Sequence, residues 1–221
     1  ENDRWLRQWT ASPKFDRRYK EQKAAAEAFE ERCVRDGLRC LDPSDYGSVA
    51  AMAGKVRAHP EAARVLAAAL HTELSLFWID SGTGLLCKAR IDLLTDRALV
   101  DVKTTRNADE PAFAGDAVKL NYGVQFAHYA AGLAAHGLAR NEWAIIAVEN
   151  AAPFEPVVYE LEDTWQTEGT KKRQKLLKQM AGLIKSGNWP AYPTDPVLLS
   201  YPAWESTEEL TLTLGNESVA M

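Results

Sequence analysis

Long hydrophobic runs are missing from this 221-residue sequence. The longest apolar stretches, such as Val65–Leu70 and Ala144–Val148, fall far short of the roughly 20 residues that a bilayer span needs. A basic and then apolar leader is missing too, since the sequence opens Glu1-Asn2-Asp3-Arg4, and a cytoplasmic location with no membrane partner is expected. Cysteine is scarce. Three of them (Cys33, Cys40 and Cys87) make neither a disulfide framework nor a four-thiolate metal site. Surplus positive charge is absent as well: 26 Lys and Arg stand against 31 Asp and Glu, a formal net charge of −5. That excludes a protein held on DNA by overall phosphate neutralisation, though not an enzyme that grips phosphate locally. What remains, at 46% hydrophobic and 26% charged residues, is an ordinary globular composition sized for one core.

The first third reads as helices. Ala24, Ala28, Phe29 and Cys33 recur at helical spacing between Tyr19 and Arg35, and Gly37 closes that helix. Ser44-Asp45 is the expected N-cap of a second helix that ends at His59-Pro60, and Pro60 suits the first turn of a third, Glu61–Leu70. The period then changes. Glu73–Asp80, Leu85–Leu94 and Ala98–Thr104 read as three strands of an antiparallel meander, the first with apolar residues on both faces and so expected to be covered on both. After a polar loop, Arg106–Pro111, come a helix Tyr122–His136, strands Glu142–Glu149 and Val157–Leu161, and a last long helix Asp163–Lys185. The expected fold is a mixed α/β (α+β) sheet flanked by helices. One domain is expected over residues 1–203, helical to 71, sheet core over 72–161, helix and wrap over 162–203, followed by an acidic tail at 204–221.

The chemistry concentrates between Cys87 and Thr105. Asp101 and Lys103, two apart on a strand, project to one face, which sends Val100 and Val102 to the opposite, packed side. Asp92, near the end of the preceding strand, can come alongside Asp101 across the pair. Two adjacent carboxylates repel, so they share a proton or bind a cation. All-oxygen ligands suit Mg²⁺, or Mn²⁺ in its place. A lysine beside them can orient an attacking water or steady charge developing on phosphorus. Gln125 and Tyr129, four apart on the next helix, share the face that looks back at this strand. An Asp-x-Lys alone is ordinarily a solvent-facing ion pair worth little. The argument rests on all five together.

In that order, Asp92, then Asp101-Val102-Lys103-Thr104-Thr105, then Gln125-Phe126-Ala127-His128-Tyr129, the chain resembles the PD-(D/E)xK nuclease superfamily. It resembles in particular the RecB-like branch and, in its flanks, the nuclease domain of RecE-type exonucleases (exonuclease VIII) and their phage relatives. The flanks Glu73–Asp80, Cys87–Asp92 and Met52–Pro60 support this, over roughly residues 1–200. The resemblance implies a restriction-endonuclease-like core and a Mg²⁺-dependent exonuclease acting 5′ to 3′ on linear double-stranded DNA with free ends. It also implies a ring-shaped homo-oligomer, a RecT-type annealing partner, and a setting in phage-type recombination, in a bacterium or a phage-infected host. It makes Asp92 and Asp101 metal ligands with the Val102 carbonyl, and Lys103 the catalytic lysine. Gln125 and Tyr129 become positioning groups, and Glu73 an additional acidic member. The alternatives are a structure- or site-specific endonuclease on the same core, or a non-catalytic DNA-binding module that lost a ligand. The family's upstream metal-ligand histidine would fall just before Glu1; His71, at a helix–strand junction, reads as a surface residue, and His128 as a packed helix residue.

Two basic groups stand out. Lys171, Lys172, Arg173, Lys175, Lys178 and Lys185 carry no acid among them, and Lys172 and Arg173 are expected to track a DNA backbone. Lys14, Arg17, Arg18, Lys20 and Lys23 read as an amphipathic helix start. Of seven tryptophans, Trp5, Trp9, Trp143, Trp165, Trp189 and Trp204 lie outside the motif strands and are expected mostly in cores or subunit contacts.

Overall fold

The computed structural model describes residues 9–200, 211–214 and 217–220. In chain order its elements begin with β1 (Trp9–Ala11), α1 (Lys20–Arg35), β2 (Arg39–Leu41), α2 (Pro43–Ala58) and α3 (Pro60–Ala67). The meander follows as β3 (His71–Ile79), β4 (Leu86–Leu94) and β5 (Ala98–Thr105). Then come α4 (Glu110–Lys119), α5 (Tyr122–Ala135), β6 (Glu142–Glu149), β7 (Pro156–Glu160) and α6 (Asp163–Ser186), and last β8 (Thr211–Leu214) and β9 (Glu217–Ala220). The chain divides into two compact units, residues 1–182 and 183–221. Among the described residues no helix is long and apolar enough to cross a membrane. Trp5 and Trp204 lie outside the described residues, as does part of the expected acidic tail.

The centre of the first unit is a five-stranded mixed sheet in the order β3-β4-β5-β6-β7. β3, β4 and β5 form the antiparallel meander, β6 runs parallel to β5, and β7 turns back antiparallel to β6. Each face carries its own apolar cluster. On one, Phe126 and Leu133 of α5 and Phe113 of α4 pack against Leu76, Trp78, Ile91, Leu99, Trp143 and Ile145. On the other, Val56 of α2 and Ala62 and Val65 of α3 pack against Leu93, Val100, Ala144, Ile146 and Val148. β6 is an interior strand buried on both faces, and its uninterrupted Trp143–Val148 run is what such a strand requires.

Several expectations are corrected. The edge strand β3 is covered on one face only: Leu76 and Trp78 are buried, whereas Phe77 and Ile79 are exposed, because no described helix packs on that side of it. Val102 is not packed. It is 40% exposed, since the α2–α3 cluster reaches Val100 and stops there. Helix α2 is capped by Asp42, which accepts from the Ser44 amide at 2.9 Å ahead of Pro43, rather than by Ser44-Asp45. Helix α4 was not expected; its first residues, Glu110-Pro111, resemble a loop, yet proline is well tolerated in a first turn. The short parallel pair β1–β2 was also missed, and β8 pairs with β9 where a loose tail was expected. Trp189 is 55% exposed.

Candidate active site

The site lies where β4 and β5 part. These strands pair regularly only at Leu93 with Val100 and Leu94 with Leu99. One step further, Asp92 uses its carboxylate instead of its backbone: Val102 donates its amide to Asp92 Oδ2 at 2.9 Å. That contact brings Asp92 beside Asp101 and leaves the upper part of β5 free to carry chemistry.

Asp101 is 1% exposed. Its Oδ1 accepts from Gln125 Nε2 at 3.0 Å, and its Oδ2 lies 2.5 Å from the Lys103 ammonium. That ammonium is the one cation against Oδ2 among the described residues, so the buried carboxylate depends on Lys103 for its charge balance. Such an atom is costly to bury unless a cation accompanies it. Lys103, with its side chain 18% exposed, also donates to Gln125 Oε1 at 2.9 Å. Gln125 donates in turn to the Tyr129 hydroxyl at 2.8 Å. Because a lysine only donates, the Gln125 carbonyl must face Lys103 and its amide must face Asp101 and Tyr129. One glutamine thus reads both sides of the Asp101–Lys103 pair.

Burial pushes the Asp101 carboxyl above its ordinary range; Lys103 opposes that shift and the nearby Asp92 charge adds to it. Tyr129 is likewise raised, by burial first and by the Asp101 and Asp92 charges, so it stays a neutral phenol. A buried carboxylate raised by its surroundings and set beside a second carboxylate is a mark of a functional site. The donor set also fits a hard divalent cation: Asp92, Asp101 and a strand carbonyl are all oxygens, and the Lys103 ammonium stands in for positive charge at Asp101 Oδ2. Among the described residues no group of three or more His, Cys, Asp or Glu side chains gathers around one point. Magnesium tolerates this, since it keeps several waters and commonly takes one or two carboxylates plus substrate phosphate.

The other expected residues fall elsewhere. Glu73 is more than half exposed and paired with Arg90; its φ of 54° marks a break in the β3–β4 ladder opposite Asp92. Arg173 is no surface cation. It is 7% exposed and bonds Asp80 Oδ2 at 2.8 Å, because its helix face turns inward onto α5 and the β3–β4 turn. His128 points away from the site, its ring 4.7 Å from that of Trp78, and His71 is exposed. Lys172, Lys175 and Lys178 remain exposed on α6, while Lys171 is paired with Glu168. At the N-terminal basic group, Arg17 pairs with Glu30 and Arg18 with Asp16.

Glycines set how closely α5 is held. A Cβ on Gly132 would meet the Trp78 ring at 2.8 Å, and one on Gly169 of α6 would meet the Gly123 carbonyl oxygen at 2.2 Å. These close approaches hold α5, and with it Gln125 and Tyr129, over β5. Tyr122 was missed. Its ring centroid lies 4.7 Å from Lys103 Nζ. Its position three residues before Gln125, on the same helical face, was the available signal.

A family model described as a PDDEXK-like domain of unknown function (DUF3799) matches residues 4–195. No curated protein matches the sequence. Among solved structures, the chain is similar to a protein of Eubacterium rectale whose exonuclease assignment is itself provisional. That likeness has a TM-score of 0.55 at 10% identity and covers 75% of this chain and 63% of the other, so the chain spans less than two thirds of that protein. LHK-Exo, solved in complex with dAMP, aligns over 74% of this chain and 85% of its own at 15% identity, with a TM-score of 0.30. The mixed five-stranded sheet with helices on both faces is the restriction-endonuclease-like arrangement.

Proposed function

We propose, from the premise that the chain belongs to the PDDEXK-like DUF3799 family, that it is a metal-dependent deoxyribonuclease. One observation carries the reading: a buried carboxylate, Asp101, set beside a second carboxylate, Asp92, with Gln125 on one of its oxygens and the Lys103 ammonium on the other. Asp92, Asp101 and the Val102 carbonyl would hold a Mg²⁺, with Mn²⁺ able to replace it. When bound, such an ion supplies Lewis acidity at the scissile phosphate and lowers the pKa of an attacking water. Lys103 holds a positive charge beside the reacting phosphate and orients the water. Gln125 keeps Lys103 and Asp101 in register, and Tyr129 holds the Gln125 amide. Glu73, exposed and paired with Arg90, is at most a peripheral acidic member.

Substrate and polarity follow from the resemblance to RecE-type enzymes: linear duplex DNA with free ends, digested 5′ to 3′, in a ring-shaped homo-oligomer working with a RecT-type annealing protein. Lys172, with Lys175 and Lys178, is the local positive surface that would meet the backbone. The test is incubation with Mg²⁺ and DNA. Linear duplex should be degraded while covalently closed circles survive; nicked circles would instead indicate an endonuclease, and binding without cleavage a non-catalytic module. Lys103→Ala should cut about 10²–10³-fold more slowly while folding normally, and an undiminished rate removes its role. Charge reversal at Lys172 and Lys175 should flatten the salt dependence of binding, and an unchanged slope rejects that surface.

A further inference from the structure

A lysine ammonium carries three N–H donors. Two directions around Lys103 Nζ are taken by Asp101 Oδ2 at 2.5 Å and Gln125 Oε1 at 2.9 Å. The third neighbour is not an oxygen. It is the face of Tyr122, the first residue of α5, with its centroid 4.7 Å from Nζ. An aromatic face at that distance attracts a cation through its quadrupole, most strongly where water is thin, and the Lys103 side chain is only 18% exposed.

The ring is itself braced. Asn121, just before it, sits in the left-handed region at φ 61°, a conformation that asparagine tolerates better than most residues and that turns the chain sharply from α4 into α5. Phe113 of α4 packs against Tyr122 at 6.1 Å between centroids, tilted by 49°, and stacks in turn on Tyr159 of β7 at 5.1 Å and 8°. The Tyr159 hydroxyl bonds the Ala108 carbonyl. An aromatic line therefore runs from β7 through α4 to the amine of Lys103.

We infer that Tyr122 is a positioning residue that holds the Lys103 ammonium at the reacting phosphate through its ring face, not through its hydroxyl. This rests on the nuclease reading. It adds a group outside the Asp92, Asp101, Lys103, Gln125 and Tyr129 set, and it explains how Lys103 stays placed when a metal competes for the carboxylate that now holds it. Asp101 alone cannot serve both cations equally; a ring face competes for neither of that carboxylate's oxygens.

Proton NMR on lysine-labelled protein tests the contact without any need for turnover. The ε-methylene signal of Lys103, assigned by its loss in Lys103→Arg, should lie upfield of the other lysines because of the Tyr122 ring current. It should stay there in Tyr122→Phe and return to the ordinary lysine position in Tyr122→Leu. In the cleavage assay Tyr122→Leu should lower kcat roughly 2- to 30-fold with KM for DNA unchanged, and Tyr122→Phe should restore it. An identical Lys103 signal in wild type and Tyr122→Leu overturns the inference. So does a Tyr122→Phe variant as slow as Tyr122→Leu, which would assign the role to the hydroxyl. If the wild-type protein cuts no DNA, the nuclease reading falls with its kinetics, while the NMR comparison still decides whether the ring holds Lys103.

Discussion

Two ion pairs are buried against helix α5, and they are built from the same ingredients with opposite results. Arg173–Asp80, closed at 2.8 Å, is fully furnished. Burial pushes the Asp80 carboxyl up, but the Thr83 hydroxyl and the Arg173 guanidinium outweigh it and hold it below its ordinary range. Lys103–Asp101 is under-furnished: burial wins over the Lys103 ammonium, and a second carboxylate, Asp92, adds to it. The first pair is what a fold does with a charge it must bury. The second is what a fold does with a charge it intends to use. Its cost is borne by the rest of the structure, including the first pair, which ties α6 and α5 to the β3–β4 turn.

The comparison is broken most severely by removing the carboxylate of the second pair. Asp101→Asn should abolish cleavage, at least about 10²–10³-fold, yet change Tm little at neutral pH, because relief of a charge that burial disfavours offsets the carboxylate that Lys103 loses. Calorimetry beside the nuclease assay checks both, and a large fall in Tm would mean that Asp101 is structural. Arg173→Ala should do the reverse. Leaving Asp80 buried without its partner costs about 3–5 kcal/mol, or roughly 10 °C in Tm. The double variant Asp80→Asn with Arg173→Met should recover much of that.

Gly169→Ala tests whether α6 sets the seat of α5. A Cβ 2.2 Å from a backbone oxygen forces the helices apart, at a cost on the order of 2–3 kcal/mol, with activity falling further than stability accounts for as Gln125 moves. Urea melts and kinetics on one preparation separate the two. The smallest effect is in pH. His128 Nδ1 faces Arg173 Nε at 3.4 Å and its Nε2 meets the Lys88 carbonyl at 3.2 Å; burial first, and then the Arg173 charge, hold it below its ordinary 6.5, against the Lys88 carbonyl and Asp80. The unfolded chain therefore takes up the proton first. The stability tied to neutral His128 is present above 6.5 and is lost as pH falls below it toward the folded value, by no more than one proton's worth of slope. His128→Asn should flatten that part of the pH–stability curve, and an unchanged curve assigns the slope elsewhere.

Much was legible along the chain. Alternation and turn residues mark β3 to β5, because side chains on a strand must answer to two faces, and Asp101-x-Lys103 with Gln125-x-x-x-Tyr129 places four groups on facing surfaces from spacing alone. Periodicity gives the face of a residue, however, and not what lies over it. Val102 and Phe77 were expected to be packed because they are apolar; which helices cover which half of the sheet is settled only by packing. Arg173 lies among lysines in sequence and reads as one more surface cation, yet its partner Asp80 is 93 residues away, beyond any local pattern. What the sequence by itself determined is the run of elements from β3 to β5 and from α5 to α6 and the identity of the polar groups on β5 and α5, since both follow from local geometry. Only the tertiary structure decided which buried charge is satisfied and which is left wanting, because desolvation and pairing depend on neighbours that the chain supplies from far away.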